Sequence, residues 1–321
     1  MTFQSIESIP RLGFGLWKVP NEDCADIVYS AIKAGYRHFD AACDYGNETE
    51  VGKGLKHAIE DGLCTRDDLW ITSKLWNTYH HPDHVPLALE KTLKDLQLDY
   101  LDLYLIHFPI ALEYVSIESR YPPEWIFDPE GFEPKMIPAK ISLQDTWRAM
   151  EALKSSSAVR HIGICNYSSG LLHDLMNYAI DPPEMLQIES HPFLTQEPLI
   201  RLAKQYGLGV TAFSPLGALS YFELDMADQH ESLLVNPVIN RVAERLSRTP
   251  AQVILKWGIQ RSTNLVTKSS SPERMQENLT LDFDLMDQDM TDISALNINR
   301  RFNDPGDFCE GAFGNFHPIY D

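Results

Sequence analysis

The sequence predicts an α/β fold, a (β/α)8 TIM-type barrel with long loops and a C-terminal tail over the C-terminal face. Three observations predict it. Eight short β-rich runs alternate with longer amphipathic stretches along a chain of 321 residues. Several of those runs are apolar without polar alternation, as strands buried on both faces of a parallel sheet are. The two longest connections follow the carboxyl ends of strands, the face where barrel enzymes place their sites.

The strands read at 12–17, 37–40, 69–74, 101–107, 161–166, 185–189, 209–213 and 265–268. The first helix, 21–34, has apolar Ala25, Ile27, Val28, Ala31 and Ile32 near helical spacing, with Gly35 as its stop. The stretches 48–60, 85–96, 143–155 and 198–206 follow the same pattern. Pro250 stands where a first helical turn tolerates it, ahead of 251–260. Alternating β and α units imply a parallel sheet with right-handed crossovers. Eight such units close a barrel better than they fill an open sheet. At about 150 residues per domain the length would suggest two domains, but one barrel accommodates it. Residues 1–321 are therefore expected to form a single domain. Connection 108–141 is rich in Pro, Tyr, Trp and Phe, and 214–237 carries acidic and aromatic residues. Long aromatic loops of this kind shape pockets. The tail 299–321 adds Gly, Pro and four Phe, with no helical period.

Composition narrows the function classes. Hydrophobic residues make up 44% and charged residues 23%, which excludes a disordered chain. No apolar run approaches the ~18 to 20 residues of a membrane helix. The segment Met1-Thr2-Phe3-Gln4-Ser5-Ile6-Glu7 has neither a basic nor an apolar region, so no secretion signal is expected. The net charge of −19 repels phosphodiester backbones, and no nucleic-acid partner is expected. The five cysteines are odd in number and widely spaced, without a Cys-x-x-Cys pair. That pattern reads as reduced thiols in a cytoplasmic protein rather than a disulfide frame or zinc site. The run His80-His81-Pro82-Asp83-His84 reads as a polar loop, since Pro82 breaks any helical pairing of histidines. No metal is expected.

There is no Gly-x-Gly-x-x-Gly, no P-loop, no Gly-x-Ser-x-Gly and no His-Glu-x-x-His. Strand ends are more informative. Asp40 ends the second predicted strand, Lys74 the third and His107 the fourth, and Tyr45 lies five residues beyond Asp40. Singly, Asp40 or Lys74 would read as a salt bridge and His107 as structural. Together, in order on adjacent strands, they form a chemical device. A free tyrosine, with a pKa of about 10, is a poor acid near neutrality. An adjacent ammonium stabilises phenolate and is expected to lower that pKa. An aspartate holds the lysine charged, and a histidine orients a carbonyl toward the phenol. The set can protonate a carbonyl oxygen while its carbon is attacked.

These residues fall in motifs that resemble the aldo-keto reductase superfamily over nearly the whole chain. The motifs are Gly13-Phe14-Gly15-Leu16-Trp17, Gly35-Tyr36-Arg37-His38-Phe39-Asp40-Ala41-Ala42, Asp99-Tyr100-Leu101-Asp102-Leu103-Tyr104-Leu105-Ile106-His107 and Gly163-Ile164-Cys165-Asn166-Tyr167. The resemblance implies an NADPH-dependent carbonyl reductase with the tetrad Asp40, Tyr45, Lys74 and His107. Tyr45 would be the acid in reduction.

A nicotinamide must lie near van der Waals contact with the carbonyl carbon. Asn166, ending the fifth predicted strand, and Gln187, on the sixth, can fix a carboxamide, and Phe213, ending the seventh, can stack on the ring. By resemblance these are the carboxamide clamp and the stacking aromatic. The usual serine beside the asparagine is Cys165 here, and the commoner stacking tyrosine is Phe213. Lys268-Ser269-Ser270-Ser271-Pro272-Glu273-Arg274 gathers cations and hydroxyls suited to a 2′-phosphate. The resemblance gives this role to Lys268, Ser269, Arg274, Glu277 and Asn278. Ser270 replaces a commoner asparagine, which leaves NADH as a second cofactor beside NADPH. Ser214-Pro215-Leu216 resembles the loop that covers the pyrophosphate.

Within the superfamily the chain is most similar to aldose reductases of the xylose reductase type. The telling segments are Arg301-Phe302-Asn303-Asp304-Pro305, Arg120-Tyr121-Pro122-Pro123 and Asp44. By that resemblance Trp17, Asp44, His107 and Asn303 would contact a sugar, with Phe108 and Trp125 forming a dry wall at its aldehyde end. The expected reaction is NADPH-dependent reduction of an aldose, xylose-like, to its alditol, by a monomer or homodimer. The alternatives are an aldose-6-phosphate reductase, which would need Arg120 or Arg301 in the distal pocket, a general aldehyde reductase, and a non-catalytic NADPH-binding regulatory subunit.

Overall fold

The computed structural model describes residues 5–320; the leader segment weighed above begins outside them. Eight strands run β1(Leu12–Gly15), β2(His38–Asp40), β3(Trp70–Leu75), β4(Leu101–Ile106), β5(Val159–Cys165), β6(Met185–Glu189), β7(Gly209–Phe213) and β8(Asn264–Thr267). They close into one barrel in sequence order, every neighbour parallel. The apolar runs behave as expected, and β2, β3, β4, β6 and β8 are buried throughout.

The helices are α1(Asn21–Ala34), α2(Glu48–Glu60), α3(Val85–Leu96), α4(Leu143–Lys154), α5(Ser169–Tyr178), α6(Glu197–Gln205), α7(Pro237–Leu246), α8(Pro250–Gln260), α9(Pro272–Leu279), α10(Asp287–Ser294) and α11(Pro305–Phe313). α1 ends where sequence places its stop, with Gly35 at φ 118 and its N–H on the Ala31 and Ile32 carbonyls. α2 sits unusually close to its neighbours: a Cβ on Gly54 would lie 2.6 Å from the Ala25 carbonyl oxygen, and one on Gly52 2.5 Å from that of Asp95.

Two expectations change. The tail is not aperiodic coil, because Pro305–Phe313 is helical. Its signals are at its ends: Asp304 accepts from the Gly306 N–H, Pro305 fills the first turn, and Gly314 closes it at φ 65. β5 starts at Val159, before the predicted run, because the charged, half-buried Arg160 hides the strand; its neighbour on β4, Asp102, accepts from it at 2.9 Å.

Connection 108–141 lies over the carboxyl end of the barrel, tied by an isolated bridge from Leu112 to Pro138. Connection 214–237 folds into short 3-10 turns before α7. Phe308 and Phe313 of α11 pack on Trp125 of the first connection at 5.5 and 5.6 Å between ring centres. The Met136 N–H donates to the Phe313 carbonyl at 2.8 Å. The tail thus closes over the barrel mouth through the aromatic residues the sequence shows.

Candidate active site

Parallel register brings the predicted acid–base residues together. Asp40 pairs with Thr72 between β2 and β3, and Lys74 with Leu105 between β3 and β4. His107 follows β4 directly. Tyr45 ends a 3-10 turn, Cys43–Tyr45, that Gly46 closes at φ 69. Lys74 lies behind the cavity at 1% exposure. Its ammonium donates to Asp40 Oδ2 at 2.6 Å, the Ala41 carbonyl at 2.9 Å and Tyr45 Oη at 3.1 Å. An ammonium has three donors, and all three are engaged. Toward Lys74, therefore, Tyr45 is an acceptor, and its own proton is free to point into the cavity it lines.

Burial raises the Tyr45 pKa more than the Lys74 charge lowers it, so the phenol is neutral and protonated. This corrects the expectation of a net downward shift. The sequence shows the lysine but not the depth of the pocket. For Lys74, burial opposes the ammonium, but Asp40 and Tyr45 more than offset it and its pKa is raised. Burial, reinforced by the Lys74 charge, drives His107 well below its usual value, so its imidazole is neutral. The His107 ring stands 5.9 Å from that of Tyr45, nearly perpendicular.

The cavity holds about 560 Å³. Its lining includes the expected cofactor residues Asn166, Gln187, Phe213, Ser214, Leu216 and Lys268. Asn166 follows β5 with φ 63. Its Nδ2 donates to the His107 carbonyl at 2.9 Å and lies 3.2 Å from Cys165 Sγ. With both hydrogens engaged, Asn166 meets a ligand as an acceptor. Gln187 donates to Asp40 Oδ1 at 2.7 Å, so Asp40 is fixed by both oxygens. Ser214 hydrogen-bonds with Tyr221 at 2.9 Å. Beyond Lys268, Ser269, Ser270, Arg274, Glu277 and Asn278 fall outside the cavity, on or before α9. Ser269 Oγ accepts from the Ser271 N–H at 3.1 Å, Arg274 is exposed, and Glu277 accepts from Thr249 at 2.9 Å. Asn278 is buried and hydrogen-bonds with Tyr36.

The expected substrate residues Trp17, Asp44, His107, Phe108 and Asn303 line the same cavity. Burial, with some help from Glu124, pushes the Asp44 carboxyl up to about 8, so it offers an O–H donor at neutral pH. The Asn303 N–H donates to Glu189 Oε2 at 2.8 Å, and its Oδ1 is buried with no protein partner. Phe108 stacks on His107 at 5.0 Å, and Trp125 lies edge-on to it at 5.2 Å. The two cations considered for a distal phosphate lie outside the cavity lining. Arg120 donates to the carbonyls of Pro123 at 2.5 Å and of Ile126. Arg301 stacks over Tyr320 at 3.5 Å.

Sequence reasoning missed Lys18, Glu223, Glu189 and Tyr320. Lys18 pairs with Glu223 at 2.9 Å across the mouth, joining β1 to connection 214–237. Glu189, wholly buried, holds the tail backbone, and its place at the end of a predicted strand was the only signal. Tyr320 reaches Asn166 from the far end of the tail. The histidine run disperses: His80 is buried, His84 stacks on Tyr114 at 3.7 Å, and among the described residues no group of three His, Cys, Asp or Glu could hold a metal.

The Aldo/keto reductase family model matches residues 11–298. The chain is 49% identical over 300 residues to a probable NAD(P)H-dependent D-xylose reductase of Neosartorya fischeri, covering 92% of each. It is 45% identical to an NADPH-dependent D-xylose reductase of Meyerozyma guilliermondii, covering 96% of this chain and 97% of that one. Among solved structures, an aldose reductase from Schistosoma japonicum superposes with a TM-score of 0.82 at 34% identity, covering 94% and 93%.

Proposed function

The chain belongs to the aldo/keto reductase family, and on that premise we propose that it reduces the aldehyde of an aldose, xylose-like, to the alditol with NADPH, or with NADH. The observation that carries this is the fully engaged Lys74 ammonium, which leaves the Tyr45 proton free toward the cavity.

The residues present fit the cofactor. Asn166 presents an acceptor to the carboxamide, Gln187 lies beside it, Phe213 offers a ring face, and Lys268 stands at the phosphate end. The bound cofactor supplies an electron pair to the carbonyl carbon. Tyr45 gives its phenolic proton to the carbonyl oxygen. Lys74 stabilises the phenolate left behind, and Asp40 keeps Lys74 charged and in place. The neutral His107 donates an N–H to the same carbonyl oxygen and orients it. Phe108 and Trp125 keep water from the aldehyde, while Trp17, Asp44 and Asn303 meet the hydroxyls. Ser214 and Leu216 would hold the pyrophosphate, and Ser269, Ser270, Arg274, Glu277 and Asn278 would serve the adenosine end.

An aldose-6-phosphate is disfavoured because neither Arg120 nor Arg301 lines the cavity. The same reading places the protein in the cytoplasm, as a monomer or homodimer acting on a small sugar or aldehyde without nucleic-acid or membrane partners. Its supports are the five buried free cysteines, the net charge of −19 and, among the described residues, the lack of any helix long and apolar enough to cross a membrane.

The test is steady-state reduction of xylose with NADPH by the wild type and by Tyr45→Phe. Loss of the proton donor lowers the rate by about 10²–10⁴ while NADPH binding stays near normal. A variant rate within about threefold of wild type would remove Tyr45 from its role. Absence of wild-type turnover on any aldose or aldehyde would leave the regulatory-subunit reading.

A further inference from the structure

The far end of the tail touches the cofactor side of the cavity through one hydroxyl. Tyr320 Oη lies 3.2 Å from Asn166 Oδ1. Because both Asn166 amide hydrogens are engaged with His107 and Cys165, this oxygen is the only polar valence the residue keeps for a ligand. A carbonyl oxygen accepts two hydrogen bonds. Tyr320 occupies one lone pair and leaves the other for a ligand in the cavity that Asn166 lines. Burial, only partly opposed by the Arg301 charge, raises the Tyr320 pKa, so the phenol is a donor.

Tyr320 is itself held in place. The Arg301 guanidinium lies 3.5 Å over its ring and reaches Gln196 at 3.4 Å. The next two backbone N–H groups, of Phe302 and Asn303, donate to Glu189 at 2.9 and 2.8 Å. One stretch of tail thus anchors on β6, carries Asn303 into the cavity wall and clamps the ring whose hydroxyl meets Asn166.

We propose that Tyr320 is a positioning residue for the nicotinamide cofactor: its hydroxyl fixes the Asn166 amide, so that docking of the tail raises cofactor affinity. This rests on the reading of Asn166 as a cofactor contact. The hydroxyl is separable from the packing, since a phenylalanine keeps the ring under Arg301 and removes only the donor.

The experiment measures NADPH dissociation constants, by quenching of protein fluorescence, for wild type, Tyr320→Phe, Asn166→Ala and the double variant. Tyr320→Phe weakens NADPH by about three- to tenfold, the worth of one neutral hydrogen bond. The loss also appears as a raised KM for NADPH. In the Asn166→Ala background the same substitution adds nothing, because the group through which it acts is gone. An unchanged or tighter constant for Tyr320→Phe overturns the proposal. So does an equal loss in both backgrounds, which would make the hydroxyl a general support of the tail. An Asn166→Ala variant that binds NADPH as wild type does would overturn the cofactor role of Asn166 itself, an outcome read independently of Tyr320.

Discussion

Lys268 and Arg274 stand on either side of a serine turn and are held differently. Lys268 follows β8, lines the cavity and donates to the Lys18 carbonyl at 2.9 Å. Arg274 is exposed in the first turn of α9, whose cap is Ser271. A 2′-phosphate between them would gain two charge-assisted hydrogen bonds, and the N-terminal end of α9 adds to the positive field. NADH lacks that phosphate. Replacing Lys268 and Arg274 by Met is therefore expected to weaken NADPH by about tenfold or more for each contact, with a smaller loss for NADH. Equal losses, measured by titration of both cofactors, would mean that neither side chain reads the phosphate. At this scale the proposed tetrad was legible because Asp40, Lys74 and His107 each mark a strand end, and strand ends follow from hydrophobic pattern. The sign of the Tyr45 shift was not legible. It depends on burial, which loops from several distant parts of the chain create together. Glu189 and Tyr320 were hidden for a related reason: the bonds from Asn303 to Glu189 and from Tyr320 to Asn166 each span more than a hundred residues.

α11 shows how a short element can hide although its signature is present. Pro305, Phe308, Cys309, Ala312 and Phe313 stand at i, i+3, i+4, i+7 and i+8, an apolar stripe that two glycines and a length of nine residues obscure. Its caps, Asp304 and Gly314, mark its bounds. By contrast α1, α2 and α3 were legible to the residue, because each buries one clear stripe against the barrel and each has a defined stop. Just ahead of α11, the tail positions Asn303, whose backbone is bound to Glu189 and whose Oδ1 remains without a protein partner. The Asn303 side chain lines the cavity, where a turn of the amide offers a sugar hydroxyl a polar partner. Asn303→Ala is expected to lower kcat/KM for xylose by about tenfold or more, the worth of a polar contact to a buried acceptor. Reduction of a small apolar aldehyde should hardly change. The comparison of the two substrates is the measurement. A parallel loss on both would assign Asn303 to holding the tail, and no loss on xylose would leave a general aldehyde reductase.

The barrel divides its labour between its two ends, and the closed eight-strand order is what makes the division possible. The tetrad and both walls of the cavity stand at the carboxyl ends of the strands. The opposite end carries its own charged cluster. Asp102, near the start of β4 and fully buried, accepts from Arg66 at 2.7 Å, Arg160 at 2.9 Å and the Ile71 N–H at 2.9 Å. Both guanidinium groups lie 3.9 Å from the Tyr100 ring. One carboxylate therefore joins β3, β4, β5 and the turn before β3. Asp102→Ala leaves a buried N–H without its acceptor and two like charges beside one ring. Because both arginines are partly exposed, water recovers part of the cost. The net loss of stability is expected at about 2–4 kcal/mol, read as a lowered midpoint in chemical denaturation with an unchanged slope. The cavity lies at the far end of the strands, so kcat for xylose below the unfolding transition should stay at its wild-type value. A loss of stability below about 0.5 kcal/mol, the range of ordinary surface substitutions, would mean that the cluster is not a structural tie. A fall in kcat without a fall in stability would mean that the two ends of the barrel are coupled after all.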